Sequence, residues 1–493
     1  MSSEFSLSHR GVVPELSLST EMPQDAEALV VPVFQGEDGL DLSDSEFFDG
    51  ATVRAALDML GATGAAEEVT KVPASTGPIV AVGVGKRDDM DAEKLRRAAG
   101  VAARSLTGLK VVATTLGELG LAAAVEGIAL GAYTEQNMAG KNHASFGVSG
   151  AAWARDFAKT APLFDAAVIT AEAVAFARDL VNAPSSHLFP ESYAAIATSA
   201  AEDNGLTVEV LDDAALAEQG FGGIVAVGQG STRGPRLVRI SYAPEQLDDA
   251  PTVALVGKGI TFDTGGVSIK PAANMDQMIS DMGGSAAVLA TIIAAARLKL
   301  NVKVTATIPM AENMPGGNSY RPGDVITHYG GTTSEILNTD AEGRLILADA
   351  IARASEDNPD YLIETATLTG AQMVALGLRT AGVMGSDAFR DRVAETGRSV
   401  GEQAWAMPIP EEMSTSMSSP VADLRNADPS RWGGMLSAGY YLGNFVGEGI
   451  EWVHIDIAGP SFNTGGAHGY TPARATGAPV RTLIAVLEGI AGE

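Results

Sequence analysis

The chain has 493 residues, 46% of them hydrophobic, no cysteine, and 61 acidic against 33 basic residues, for a formal net charge of −28. That length and apolar content suffice for two sizeable cores, and the charge opposes a phosphate backbone, so nucleic acid is not expected as a partner. Without cysteine there are no disulfides, thiolate metal sites or cysteine nucleophile, and any metal must use oxygen or nitrogen ligands.

Met1 to Arg10 carries Glu4 and no apolar core of signal-peptide length, and the longest apolar run, around Ala286 to Leu298, stops at Lys299. No membrane segment and a cytoplasmic location are therefore expected. Strands are predicted over Ala28 to Phe34, Pro78 to Gly85 and Lys110 to Leu116, with a helix over Asp91 to Leu106 between the last two. A helical pattern from Phe164 to Val181 is ended by Asn182-Ala183-Pro184-Ser185-Ser186, residues that favour turns. Further strands are predicted over Thr207 to Leu211, Leu237 to Tyr242, Val253 to Val256, Val302 to Ile308, Tyr361 to Thr365 and Val453 to Ile457. Strands alternating with Ala-rich helical patterns predict an α/β protein built on mostly parallel sheets. The expected division is a small N-terminal α/β domain over 1–163, a linker helix and junction over 164–190, and a larger C-terminal α/β domain over 191–493.

Asn338-Thr339-Asp340-Ala341-Glu342-Gly343-Arg344-Leu345 crowds two carboxylates and a guanidinium between an apolar run and a helical pattern. In an extended segment Asp340 and Glu342 leave on the same side, which predicts a carboxylate-lined edge at a strand end. Upstream, the glycine-rich stretch from Gly257 to Pro271 holds Lys258, Asp263 and Lys270, and Asp281 follows before Met282-Gly283-Gly284-Ser285. If these segments meet, Asp263, Asp281, Asp340 and Glu342 bring four negative charges together; repulsion would raise their pKa values, and two divalent cations would neutralise them. Lys258, the Thr367-Leu368-Thr369-Gly370 stretch and Ala458-Gly459 each follow a predicted strand. Ligand sites of open α/β sheets gather outside the carboxyl ends of strands, so one sheet edge is expected to carry the site. No complete P-loop, GxSxG elbow or HExxH helix occurs. The six histidines, His9, His143, His187, His328, His454 and His468, show no metal-ligand spacing, and His454 reads as a buried structural histidine.

These residues resemble the leucyl (cytosol) aminopeptidases, the M17 metallopeptidases. The likeness rests on the lysine-glycine loop, Asp281-Met282-Gly283-Gly284, the octapeptide, Ala366-Thr367-Leu368-Thr369-Gly370-Ala371, Ala177-Arg178-Asp179-Leu180-Val181-Asn182, and Trp452-Val453-His454-Ile455-Asp456-Ile457-Ala458-Gly459. The octapeptide is the most specific of them. The resemblance implies an aminopeptidase with two divalent ions, Mn or Zn, in which Asp263 and Glu342 bridge, Asp340 binds one ion, and Lys258 with Asp281 binds the other. Two such ions sharing a water lower its pKa towards neutrality. Lys258 must then ligate as the neutral amine, against an ordinary pKa of roughly 10.4. Lys270 and Arg344 become the catalytic pair: Lys270 for the developing oxyanion, and Arg344, a fixed fork of donors, for a bicarbonate that serves as general base. Backbone contacts from Leu368 and Gly370 and a pocket including Met278 and Thr367 suit leucine and other apolar first residues. A homo-hexamer acting on short peptides with a free amino terminus is implied as well.

Taken singly, each residue has a plainer reading. Lys258 and Lys270 could be solvated, Asp281 a helix cap, Arg344 with Glu342 a surface pair worth about 0–1 kcal/mol, Met278 core, and Gly265-Gly266 and Gly283-Gly284 tight turns. Thr264, Ser285 and Glu364 stand where relatives often carry serine, alanine and aspartate, and none is an implied ligand. Two other functions fit parts of the pattern. One is a two-metal hydrolase of another substrate class, such as a phosphatase, whose substrate would need extra basic anchors where only Lys270 and Arg344 are found. The other is an additional DNA-binding role, known for some members of the family and opposed here by the net charge.

Overall fold

A computed structural model describes residues 7, 10–19, 21–37, 39–42, 47–74, 77–106, 108–135, 145–149, 157–244 and 249–492. His9 and His143 lie outside them. The chain forms two compact units, His9–Ala175 with Asn463–Arg474, and Phe176–Phe462 with Ala475–Glu493. The cut falls inside the helix Phe157–Asn182, within the 164–190 stretch expected to be the linker. The division differs from the expected one in that a late segment returns to the smaller unit. Gly100 makes that return possible, since a Cβ there would lie 2.6 Å from the Tyr470 Cα, and Arg104 Nη2 donates to Gly469 O at 2.6 Å.

In the smaller unit the strand order is Leu16–Ser19, Ser145–Ser149, Val111–Thr114, Ala28–Gly36, Ile79–Gly85 and Val69–Val72, with Gly39–Asp41 beside Ala28–Gly36. The pairings of Val69–Val72 and Gly39–Asp41 are antiparallel and the others parallel. The helix Ala92–Arg104 starts at Asp91, whose side chain accepts from Lys94 N. It buries Leu95, Ala98, Ala99 and Ala102 in one core with Val30, Val80 and Val82.

The sheet of the larger unit has nine strands: β1 (Thr207–Leu211), β2 (Arg236–Tyr242), β3 (Thr252–Gly257), β4 (Gly259–Asp263), β5 (Lys303–Asn313), β6 (Tyr361–Ala366), β7 (Ala381–Gly385), β8 (Ala404–Ala406) and β9 (Glu451–Asp456). Their order is β1-β2-β5-β3-β6-β9-β7-β8, with β4 also on β5. The middle strands β5, β3, β6 and β9 run parallel. Antiparallel pairs, β1 with β2, β2 with β5, and β7 with β9, flank them. Val253 to Val256 are all buried, as a strand covered on both faces requires.

Two helices matter for the site, α1 (Gly283–Leu298) and α2 (Gly343–Ser355). Gly283-Gly284 is not a tight turn but the start of α1. A Cβ on Gly284 would lie 2.1 Å from Thr365 O, so the missing side chain lets the helix dock directly on β6. Gly265 and Gly266 are turn residues, with φ of 83° and 64° in the left-handed region that favours glycine. By length and composition the helical segments Ala158–Asn182 and Met275–Leu298 could cross a membrane; 89% of the apolar window of the second is buried inside the protein, which marks a core helix.

Candidate metal centre

Parallel pairing brings the carboxyl ends of five strands to one edge of the sheet, as the sequence led us to expect. Lys258 follows β3, Asp263 ends β4, Asn313 ends β5, Thr367 follows β6, and Asp456 ends β9. Asp281 comes just before α1, and Asp340 and Glu342 just before α2.

Lys258 is buried, and its Nζ lies 2.8 Å from Asp281 Oδ1 and 2.9 Å from Glu342 Oε1 while donating to Thr367 O at 2.9 Å. Lys270 Nζ lies 2.6 Å from both Asp263 Oδ2 and Asp340 Oδ1. Asp263, Asp340 and Glu342 each offer a carboxylate oxygen within 4.8 Å of the others. The structure thus brings together all five residues expected to hold metal, with Lys270 among them.

The local backbone explains this differently from the extended segment expected around Asp340. Thr339 and Asp340 form a turn, and Glu342 has helical angles, φ −77° and ψ −36°, at the cap of α2. The two carboxylates converge by turning, not by strand alternation. Nor is Asp281 a helix cap. Met282 occupies that position without a side-chain bond, and Asp281 Oδ1 instead receives Lys258 and, at 2.8 Å, Thr367 Oγ1.

Neighbouring groups fix the carboxylates. Asp263 Oδ1 accepts from Gly265 N and Asn313 Nδ2, both at 2.8 Å. Thr339 Oγ1 donates to Gly265 O at 2.6 Å and accepts from Ser268 N at 2.7 Å, tying the Lys270 loop to the Asp340 turn.

Four carboxylates against two ammonium groups leave an excess of negative charge. Burial, reinforced by Glu342 and Asp281, pushes the Asp263 carboxyl up to about 8. Burial also pushes Asp281 up to about 6, against the pull of Lys258. For Glu342, burial opposes ionisation, but Lys258 and Lys270 hold its carboxyl below the usual range. Burial would strip Lys258 of its proton, yet Asp281, Glu342 and Asp263 together hold it above the usual lysine range. Without a cation Lys258 is therefore held as an ammonium, and it would become the neutral amine expected of a ligand only if a cation took over those carboxylates.

The residues present fit divalent ions. Asp281 Oδ2 and Glu342 Oε2 are buried without a hydrogen-bond partner, a state that calls for an explanation in a native protein. The donors are hard oxygens with one amine, and the charge is of the sign a cation would balance.

Arg344 is not a surface pair. It is buried, with Nη1 donating to Asn426 O at 2.8 Å and Nε lacking a partner. Thr367 is buried, Leu368 is half-buried against the core of the unit, Met278 is half-buried in the short 3-10 helix Met275–Ser280, and Gly370 is exposed at the start of the helix Gly370–Leu376. His454 is buried and hydrogen-bonds to Glu364 on the adjacent strand. Asn313 and Asn426 were not singled out from sequence, and Thr339 and Asp456 appear there only within quoted motifs, with no role assigned. Asp456 accepts from Leu368 N at 3.2 Å and Thr369 Oγ1 at 2.7 Å, and so holds the loop after β6.

The chain matches the cytosol aminopeptidase family, catalytic domain, over residues 175–484, and the N-terminal domain of that family over residues 30–141. The probable cytosol aminopeptidase of Corynebacterium diphtheriae is 60% identical over 500 residues, covering 100% of both chains. That of Nocardia farcinica is 55% identical, covering 98% of this chain and 99% of the relative. Among solved structures, the bottromycin maturation enzyme BotP in complex with Mn is similar with a TM-score of 0.85 at 33% identity, covering 94% of this chain and 100% of that one. A mutant of tomato leucine aminopeptidase is similar with a TM-score of 0.85 at 27% identity, covering 97% and 96%. With a family match over most of its length and a full-length relative at 60% identity, the chain belongs to the cytosol aminopeptidase family and is a metal-dependent aminopeptidase, a hydrolase of peptides.

Proposed function

We propose that the enzyme removes leucine and other apolar residues from the amino terminus of short peptides, using two divalent ions, Mn or Zn, held by Lys258, Asp263, Asp281, Asp340 and Glu342. The observation that carries this reading is the meeting of those five side chains at one sheet edge, with two buried carboxylate oxygens unpartnered. When bound, the ions polarise the scissile carbonyl and make a water acidic enough to attack near neutral pH.

This chain's own groups do the rest. Lys258 would give up its Nζ proton to serve as a ligand, because cations would draw off the Asp281 and Glu342 carboxylates that hold it. Lys270 keeps its proton and offers a fixed positive charge to the carbonyl oxygen as it becomes anionic. Arg344, anchored through Nη1, presents its remaining donors to a bicarbonate. A bicarbonate held there would supply the general base for the proton that the water loses and the leaving nitrogen gains as the C–N bond breaks and a C–O bond forms. Backbone groups of Leu368 and Gly370 align the substrate, and Met278 with Thr367 line the pocket for its first side chain. A cytoplasmic location, in keeping with the relatives' name, and a homo-hexamer belong to the same reading.

The test is hydrolysis of leucine p-nitroanilide by protein first chelated and then resupplied with Mn or Zn, with the N-acetylated substrate as control. Activity that returns with metal and is lost on acetylation is expected. Turnover of the acetylated substrate, or none with any metal, would overturn the proposal.

A further inference from the structure

We propose that Asn426 is a positioning residue for this reaction, clamping the turn that carries Asp340 and Glu342 and the Arg344 guanidinium onto one strand end; the inference rests on the function proposed above. Asn426 is fully buried. It follows the short strand Leu424–Arg425, which pairs in parallel with Thr333–Glu335, and its own N–H donates to Glu335 O at 2.9 Å. Its side chain then grips the turn with both ends. Oδ1 accepts from Leu337 N at 2.8 Å and Asn338 N at 3.3 Å, and Nδ2 donates to Asn338 O at 2.7 Å and Ala341 O at 3.4 Å. Its carbonyl accepts from Arg344 Nη1 at 2.8 Å. One residue thereby fixes the backbone on either side of Asp340 and the guanidinium two residues beyond Glu342.

The clamp has a physical purpose. Asp340 and Glu342 repel one another, and their lysine partners differ, Lys270 for Asp340 and Lys258 for Glu342. A turn loaded in this way would open unless its backbone were held. Asparagine suits the position because one planar group both donates and accepts. Aspartate would keep the acceptor oxygens and lose the donations to Asn338 O and Ala341 O.

The experiment compares full-length wild type with Asn426→Ala and Asn426→Asp. The chelated proteins are titrated with Mn alone, and kcat and KM for leucine p-nitroanilide are then measured at saturating Mn. For Asn426→Ala the Mn dissociation constant should rise about 10–100-fold, as when supporting groups of a metal site are removed, and kcat should fall by a similar factor with KM within about twofold. Asn426→Asp should fall between alanine and wild type in kcat. Should the alanine variant not fold, the aspartate variant decides. Folded variants with Mn affinity and kcat within about twofold of wild type would overturn the proposal, and so would loss of folding in both, which would assign Asn426 to stability alone. Wild type that binds Mn without hydrolysing the substrate would sink the proposed function instead, and the Mn titrations would still test the clamp.

Discussion

Gly343→Ala sets two simple expectations against each other. Gly343 is the first residue of α2, and its φ lies outside the left-handed region. On helix propensity alone, alanine should stabilise by up to about 1 kcal/mol, the interior value being an upper limit at a helix end. Sterics say otherwise. A Cβ at Gly343 would lie 2.5 Å from Lys258 Cε, 2.7 Å from its Nζ and 2.8 Å from its Cδ. Ordinary carbon contacts lie at roughly 3.5–4.0 Å, so the lysine must retreat by about 1 Å. A flexible side chain could do so at little cost on a surface, but here Nζ is buried and engaged by Asp281, Glu342 and Thr367.

Overpacking of this kind costs about 1–3 kcal/mol, and a displacement of about 1 Å at a catalytic centre can cost about 100-fold in rate. The assay is kcat for leucine p-nitroanilide at saturating Mn, Mn affinity by titration, and a melting curve. The expected result is a folded protein with weakened Mn binding and kcat reduced on the order of 100-fold. Wild-type kcat and Mn affinity together with a raised melting temperature would show that propensity governs this position and that Lys258 has room to spare.

Asp340→Ala should abolish tight Mn binding and activity together, and full metal occupancy by mass spectrometry would remove it from the ligand set. Arg344→Ala should leave Mn content intact while slowing turnover by about 10²–10⁴-fold, the range for losing general-base assistance; unchanged kcat would exclude it from the reaction. His454→Ala leaves Glu364 buried without its partner, and breaking a buried pair costs about 3–5 kcal/mol, so a denaturant midpoint close to wild type would contradict that account. In the chelated protein, Asp263 and Asp281 keep protons at pH values where the unfolded chain has lost them. Their folded pKa values are raised, so the contribution of these two groups to stability is greatest below about 4 and declines as pH rises towards about 8. A melting temperature that rises across that window after chelation would refute the charge excess.

How much of this was legible in the sequence depended on where each residue's partners lie. Thr207–Leu211 is a strand over the span that its apolar pattern indicates, and Tyr361–Ala366 extends the predicted strand by one residue. The strands β4, β7 and β8 were missed. Gly259 reads as loop punctuation, yet a Cβ there would lie 2.4 Å from Pro309 O, so the glycine permits close approach within a sheet. Gly382 in β7 likewise makes room for the sulfur of Met435. Local pattern cannot separate such a glycine from a turn glycine, because the difference is an atom far along the chain. The charged residues of the site were legible because they cluster in short motifs. Asn313 and Asn426 were not, being uncharged residues whose side-chain partners lie 26 to 89 positions away.

The two lysines of the site show how environment can divide roles between identical side chains. Lys258 is buried and has three acceptors around Nζ, whereas the Lys270 side chain is 22% exposed and has two carboxylates. Both are held above the usual lysine range by their carboxylates against the opposing effect of burial. When cations take over the carboxylates that support is withdrawn from each, and desolvation is left acting harder on the more deeply buried amine. On the proposed reading, Lys258 would then be the lysine that loses its proton and becomes available as a ligand, and Lys270, nearer water, the one that keeps its charge for the oxyanion. Pairs of like groups pushed apart by their surroundings mark acid, base and electrostatic roles in enzymes generally, and here the same logic supports the division of labour proposed between ligand and catalytic lysine.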